Sequence, residues 1–193
     1  MYDLRTALLI IDVQNDFADP AGGLYVRGAE ETFDRLNAEI AAARAAGAPI
    51  VYTQDWHPPE TPHFEKDGGT WPVHCVRDTW GAELVPGLEI AGAIVRKGTG
   101  GEDGYSGFTV RDPQTGTSQP TDLDRLLREH GVESLVVGGL ATDYCVGATA
   151  LDGAALGYRT TVLRGAIRAV DLQAGDGDRA LEQMEAAGVL LGP

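Results

Sequence analysis

Short apolar runs alternate with helical patterns along the whole chain. Residues 7–11, Ala-Leu-Leu-Ile-Ile, form an uninterrupted apolar run, which is typical of a strand covered on both faces. Shorter apolar runs predict further strands at residues 50–53, 93–95, 135–137, 160–163 and 189–191. Helical spacing predicts helices at residues 30–46, 121–130, 143–156 and 178–187. The first of these helices has four apolar positions on one predicted face: Phe33, Leu36, Ile40 and Ala41.

The alternation of strands and helices predicts an α/β fold with a mostly parallel central sheet and helices on both faces. The chain has 193 residues with no internal repeat and no linker-like segment, so we expect residues 1–193 to form a single domain. Two long segments, residues 57–92 and 98–120, carry no regular pattern. Loops of this length in a compact domain are usually functional, so we expect them to carry the chemistry.

Three of the four histidines fall within a short Pro/Gly-rich stretch of the first irregular segment. His57, His63 and His74, together with Asp55 two residues before the first of them, make a set of ligands suited to a divalent transition metal. Zn²⁺, Fe²⁺ and Mn²⁺ all tolerate such a carboxylate and imidazole shell. The alternatives are solvated loop histidines, or a closed structural zinc site that includes Cys75.

Further reactive side chains stand at the predicted strand ends, where sites form in open parallel sheets. Asp12 follows the first strand and Lys97 the third, and Cys145 lies just beyond the fourth, in the first turn of a predicted helix. Free N–H groups in such a turn stabilise a thiolate or a developing oxyanion. These are the parts of an amide-cleaving cysteine hydrolase. Asp12, Lys97 and Cys145 could each instead have only a structural role. Cys75 is a rival nucleophile, but it does not lie at a helix N-terminus.

The composition limits the classes of partner and the compartment. Fifteen basic against 29 acidic residues give a formal charge of −14, which disfavours nucleic acid and anionic membranes as partners. No apolar run is long enough for a membrane span, and the first residues do not look like a secretory signal. Two cysteines 70 positions apart are no disulfide framework, so we expect a cytoplasmic protein. A small uncharged substrate fits this surface, and a homo-oligomer remains compatible with it.

Five segments together resemble the nicotinamidase (pyrazinamidase) branch of the isochorismatase-like cysteine hydrolases. They are IDVQNDF at 11–17, QDWHP at 54–58, WPVHC at 71–75, RKG at 96–98 and GLATDYCV at 139–146. The similarity runs from about residue 7 to the C-terminus, and the WPVHC segment is its most specific part. The resemblance implies the isochorismatase-like hydrolase fold. It also implies hydrolysis of nicotinamide to nicotinate and ammonia, a step of NAD salvage, with pyrazinamide accepted as an analogue.

The same resemblance implies a role for each of the candidate residues. Cys145 would be the nucleophile, Asp12 the general acid and base, and Lys97 their partner. The backbone N–H groups of Ala141 and Cys145 would form the oxyanion hole, next to a cis peptide bond between Leu140 and Ala141. The remaining roles would be metal binding, with Zn²⁺ expected first, and contact with the substrate ring. The implied metal ligands are Asp55, His57 and His74, with His63 as a fourth found in some members, and the implied ring contacts are Phe17, Trp71 and Tyr105.

Departures from the family pattern leave other functions open. Tyr144 stands beside the nucleophile, where related sequences often have histidine, and residues 98–104 form an unusual glycine-rich acidic stretch with Glu102 and Asp103. One alternative is a related amidohydrolase that acts on a carbamoyl or ureido compound. Another is a binding module of the same fold without activity, which would be expected to have lost Asp12, Lys97 or Cys145. A third alternative, isochorismatase-type cleavage of an enol ether, is disfavoured because that reaction does not need the thiol of Cys145.

Overall fold

Six parallel strands form the central sheet of the computed structural model, which describes residues 2–193. The strands lie in the order β3-β2-β1-β6-β7-β8, so the chain adds β2 and β3 on one side of β1 and then β6, β7 and β8 on the other side. A separate two-stranded antiparallel hairpin, β4-β5, lies in the segment between β3 and the next helix. The strands are β1 (Thr6–Ile11), β2 (Ile50–Asp55), β3 (Ala93–Lys97), β4 (Thr109–Arg111), β5 (Ser118–Pro120), β6 (Ser134–Leu140), β7 (Arg159–Arg168) and β8 (Leu190–Gly192).

Helices cover the sheet, as the sequence pattern predicts. They are α1 (Asn15–Ala18), α2 (Phe33–Ala45), α3 (Leu123–Glu129), α4 (Gly147–Ala155) and α5 (Asp176–Ala186). Short 3₁₀ turns lie at Ala29–Thr32, Glu65–Asp67 and Trp80–Ala82, and a π-helical turn, Thr142–Val146, leads into α4. Within the described residues, no helix has the length and apolar character needed to cross a bilayer.

The side chains on both faces of the central strand β1 are fully buried in apolar clusters. Leu8 and Ile10 pack in one cluster with the α2 side chains Leu36 and Ile40. Ala7, Leu9 and Ile11 point to the opposite face and pack in a second cluster with residues of α3, α4 and α5. This arrangement explains the uninterrupted apolar run in the sequence, because successive strand residues alternate between two buried faces. The predicted α/β fold is therefore confirmed.

Several predicted element boundaries need correction. The segment predicted as one helix at 30–46 begins with a 3₁₀ turn, and its buried positions are Leu36, Ile40 and Ala43, whereas Ala41 is exposed. The helix predicted from residue 143 begins as a π turn. Strand β7 continues to Arg168, five residues beyond the predicted end at Leu163, and the loop predicted at 98–120 contains the β4-β5 hairpin. Exposed strands of three residues give too little apolar periodicity for a sequence pattern to detect.

Candidate active site

The parallel sheet brings the predicted catalytic side chains to one edge, at the carboxyl ends of neighbouring strands. Asp55 and Lys97 are the last residues of β2 and β3 and pair directly in the strand register, so their side chains lie on the same face. Asp12 follows β1 directly and has φ 47°, a left-handed conformation that Asp tolerates better than most residues. Cys145 lies in the π turn that follows β6.

A buried lysine joins the two carboxylates and the thiol. Lys97 Nζ lies 3.0 Å from Asp12 Oδ2 and 3.8 Å from Cys145 Sγ, and it also donates a short hydrogen bond to Asp55 Oδ1. The reactive atoms of Asp12, Asp55 and Cys145 lie within 4.8 Å of one another. All four side chains are buried, so these charges interact with little screening by water.

Burial and charge shift the pKa values of this cluster in directions that suit acid–base chemistry. Burial raises the pKa of Asp12 despite the neighbouring Lys97, and burial also raises the pKa of the Cys145 thiol well above its usual value. Burial opposes the charge on Lys97, but Asp12 and Asp55 together hold its pKa well above the usual range. Burial likewise opposes ionisation of Asp55, but Lys97, His57 and His74 lower its pKa to about 2. Cys145 is thus a protonated thiol that needs a base, and Asp12 lies beside it.

Three imidazoles converge close to Asp55. Nitrogen atoms of His57, His63 and His74 lie within 4.8 Å of one another, and the rings of His57 and His63 stack at 4.6 Å between centroids. Asp55 Oδ1 lies 3.9 Å from His57 Nε2. Gly98 makes room for this packing, because a Cβ atom at its position would lie 2.6 Å from the His57 ring.

The protonation of these rings suits a metal ion. Burial lowers the pKa of His57 to about 4 and also lowers that of His74, so both rings are neutral at pH 7. His74 Nδ1 lies 2.7 Å from the Pro72 carbonyl oxygen and His63 Nδ1 lies 2.9 Å from Asp103 Oδ1. Both oxygens can only accept, so each Nδ1 carries a proton, and the neutral His74 ring keeps a free lone pair on Nε2. Both ring nitrogens of His57 are buried without a partner, which leaves a polar group that a cation would satisfy.

A pocket of about 480 Å³, its open mouth included, connects the thiol with the imidazoles. Its size suits a small molecule. Three aromatic side chains cluster in its wall, where Trp71 and Tyr105 each lie 5.2 Å from Tyr144 between ring centroids, and Trp71 Nε1 donates a hydrogen bond to the Tyr105 hydroxyl. The other lining residues include Phe17, Leu24, Val26, Asp55, His63, His74, Leu140, Ala141, Cys145 and Val170.

The structure therefore gathers the predicted catalytic, metal-binding and ring-contacting residues around one pocket, whereas Cys75, the rival nucleophile, does not line it. Asp12, Lys97 and His57 are buried and do not line it, whereas the other predicted residues reach its wall. The cis peptide bond between Leu140 and Ala141 is present, as the resemblance implies. Asp55, expected among the metal ligands, is hydrogen-bonded to Lys97, and His63, the optional fourth ligand, stands with the other two imidazoles.

Sequence reasoning missed several side chains that hold this arrangement together. Thr53 donates a 2.6 Å hydrogen bond to Asp12 Oδ1 and accepts one from the Asp12 backbone N–H. Gln14 binds both the N–H and the carbonyl of Asp55. Thr53 gives no signal in a buried strand, whereas Gln14 and Asp103 lie within segments that the resemblance or the unusual composition indicates. The sequence identifies Tyr144 as a departure from the family pattern but does not predict its place in the pocket wall.

Comparison with known proteins gives consistent results along nearly the whole chain. Residues 6–191 match the isochorismatase domain family. The chain is 37% identical to the nicotinamidase of Escherichia coli over 96% of this chain and 93% of the relative. It is 38% identical to the nicotinamidase/pyrazinamidase of Mycobacterium tuberculosis over 96% of this chain and 97% of that protein. The crystal structure of the pyrazinamidase of Pyrococcus horikoshii in complex with zinc superposes with a TM-score of 0.86 at 38% identity, covering 97% of this chain and 98% of that one.

Proposed function

The chain belongs to the isochorismatase domain family, and on that premise we propose that it is a nicotinamidase that hydrolyses nicotinamide to nicotinate and ammonia. One observation carries this proposal. A single pocket joins a buried thiol, next to a carboxylate and a lysine, with a cluster of three imidazoles. The thiol half has the groups that cleave an amide, and the imidazole half has the lone pairs that a metal needs.

Cys145 would attack the amide carbon, and Asp12 would accept the proton of its thiol. The thiol has a raised pKa, so attack requires this transfer, and the Asp12 carboxylate lies within reach of Sγ. The negative charge that develops on the amide oxygen would be held by the backbone N–H groups of Ala141 and Cys145 in the pocket wall.

Collapse of the tetrahedral adduct breaks the C–N bond, and Asp12 returns its proton to the departing ammonia. The product of this step is a thioester on Cys145. Asp12 then accepts a proton from a water molecule that attacks the thioester, nicotinate leaves, and the proton returns to Sγ. Lys97, 3.0 Å from Asp12 Oδ2, stays charged throughout and orients the carboxylate between its two proton transfers.

His57, His63 and His74, with Asp55 beside them, would hold one divalent metal ion, for which we propose Zn²⁺. When bound, the ion would supply an electrophilic anchor for the pyridine nitrogen of the substrate. Phe17, whose ring lies 5.4 Å from that of His74, and the aromatic pair Trp71 and Tyr105 would flank the pyridine ring.

The test is ammonia release from nicotinamide by the zinc-loaded protein. We expect activity in the wild type, none in Cys145→Ala, and activity close to wild type in the matched control Cys75→Ala, because Cys75 is buried against Gly81 and is absent from the pocket wall. Mass spectrometry of the acid-quenched reaction should find a nicotinoyl group on Cys145.

Two results would contradict the proposal. One is the absence of ammonia release by the zinc-loaded wild type, and the other is full activity in Cys145→Ala. A carbamoyl or ureido compound assayed in parallel distinguishes the alternative amidohydrolase, which would release ammonia from that compound and leave nicotinamide intact.

A further inference from the structure

A carboxylate outside the predicted metal shell contacts one of its imidazoles. Asp103 lies in the acidic stretch 98–104, and its Oδ1 is 2.9 Å from Nδ1 of His63. The His63 side chain is 6% exposed and that of Asp103 is 23% exposed, so this contact is largely shielded from water. No other carboxylate pairs with an imidazole of the cluster through Nδ1 among residues 2–193.

The Asp103 side chain is fixed independently of His63. Its Oδ1 also accepts a 2.8 Å hydrogen bond from the Gly104 N–H, and its Oδ2 lies 3.2 Å from Arg111 on β4. Two backbone hydrogen bonds of 2.8 and 2.6 Å join Asp103 and Arg111, so the hairpin anchors this part of the loop. A carboxylate held in this way can impose an orientation on the ring that it contacts.

The ring of His63 needs such a partner. A neutral imidazole can carry its proton on either nitrogen. Only the form with the proton on Nδ1 leaves the Nε2 lone pair free to bind a metal ion shared with the other two rings. The Thr61 hydroxyl accepts a hydrogen bond from the His63 backbone N–H and donates one to the Gly101 carbonyl. It therefore joins the segment of His63 to the loop of Asp103. The backbone of His63 and the loop of Asp103 are thus tied by a second contact.

We propose that Asp103 is a positioning residue that fixes His63 with its proton on Nδ1, so that Nε2 serves as a metal ligand in this protein. The inference rests on the metal site of the proposed function. It extends that function by naming the residue that holds His63 in the metal shell. A carboxylate in this outer position typically changes metal affinity by about 10- to 100-fold.

Zinc affinity of the metal-free protein, measured by competition with a chromophoric chelator, tests the proposal without using activity. We expect Asp103→Ala to weaken zinc binding by about 10- to 100-fold, and Asp103→Asn to weaken it less, because the amide oxygen still accepts from Nδ1 without the charge. Glu102→Gln is the matched control, since Glu102 lies in the same loop and its carboxylate accepts from the Gly100 N–H. We expect this control to retain wild-type affinity. Equal melting temperatures of the metal-free proteins would show that the variants fold alike.

A double-mutant cycle with His63→Ala separates positioning from the attraction of a nearby negative charge. If Asp103 acts through His63, then Asp103→Ala causes no further loss in the His63→Ala background. The same loss in both backgrounds would overturn the proposal, as would wild-type zinc affinity in Asp103→Ala. If the variants bind zinc like the wild type, the proposed nicotinamidase function still stands. If the wild type itself binds no zinc, this inference and the proposed metal site fail together.

Discussion

Replacing Lys97 by methionine should destabilise the protein by removing the cation that lies between two buried carboxylates. The chain has two lysines, Lys66 and Lys97, and methionine keeps much of the length of a lysine side chain. Asp12 and Asp55 lie within 4.8 Å of each other, so at an effective dielectric constant of about 20 their repulsion is at least about 3.5 kcal/mol. Removing one partner of a buried ion pair typically costs about 3–5 kcal/mol. We expect Lys97→Met to lose that much unfolding free energy at pH 8.

The loss in Lys97→Met should depend on pH with a known sign. Burial already raises the pKa of Asp12 in the folded state, and the loss of Lys97 raises it further. The folded state then binds a proton that the unfolded state, with an Asp pKa of about 3.9, does not. A raised folded-state pKa gives stability that is lost as the pH rises through it. The destabilisation should therefore be smaller at pH 5.5 than at pH 8.

Urea unfolding of the metal-free protein at both pH values measures the effect. Lys66→Met is the matched control, because Lys66 is 43% exposed and its ion pair with Asp67 lies at the surface. We expect that variant to change the unfolding free energy by less than about 1 kcal/mol. If both variants lose the same amount, or if the loss in Lys97→Met is the same at pH 5.5 and pH 8, the reasoning about the buried charges is wrong.

Two further predictions concern the imidazole cluster and the pocket wall. The pKa of His57 falls from about 6.5 in the unfolded chain to about 4 through burial, so His57 should contribute about 3 kcal/mol to the stability that the metal-free protein loses as the pH drops from 6.5 to 4. His57→Gln should remove this contribution and the exposed His130→Gln should not; equal slopes in all three proteins would contradict this. Tyr105→Phe removes the acceptor of the Trp71 hydrogen bond without touching the thiol, so the KM for nicotinamide should rise less than about fivefold at unchanged kcat. A large fall in kcat would show that the hydroxyl takes part in the chemistry.

The sequence predicts the strand ends well because two physical signals coincide there. Strand β1 is buried on both faces and leaves a long apolar run, and Asp12 and Lys97 are conspicuous as charged residues just after the first and third apolar runs. Parallel pairing then requires that such residues share one edge, which is enough to predict that Asp12, Lys97 and Cys145 meet. The distances between them depend on strand register, which the apolar pattern does not contain.

The loops are less predictable because their contacts are polar and distant in sequence. Asp103 and His63 are separated by 40 positions, and their contact depends on the hairpin that holds Arg111 beside Asp103. The composition marks residues 98–104 as unusual but does not say which side chain turns inward. The family resemblance predicts the types of metal ligand but does not predict the partner of His63.

The two halves of the site form one electrostatic unit, and this explains why a cation suits the imidazole half. Asp12 and Asp55 carry two negative charges against the single positive charge of Lys97, and the neighbouring His57 and His74 are neutral because burial lowers their pKa values. A buried excess of negative charge is costly unless something balances it. A proton on Asp12 would restore neutrality, but it would also remove the base that Cys145 needs. A cation held by the imidazoles beside Asp55 would supply the balance and leave Asp12 free to ionise.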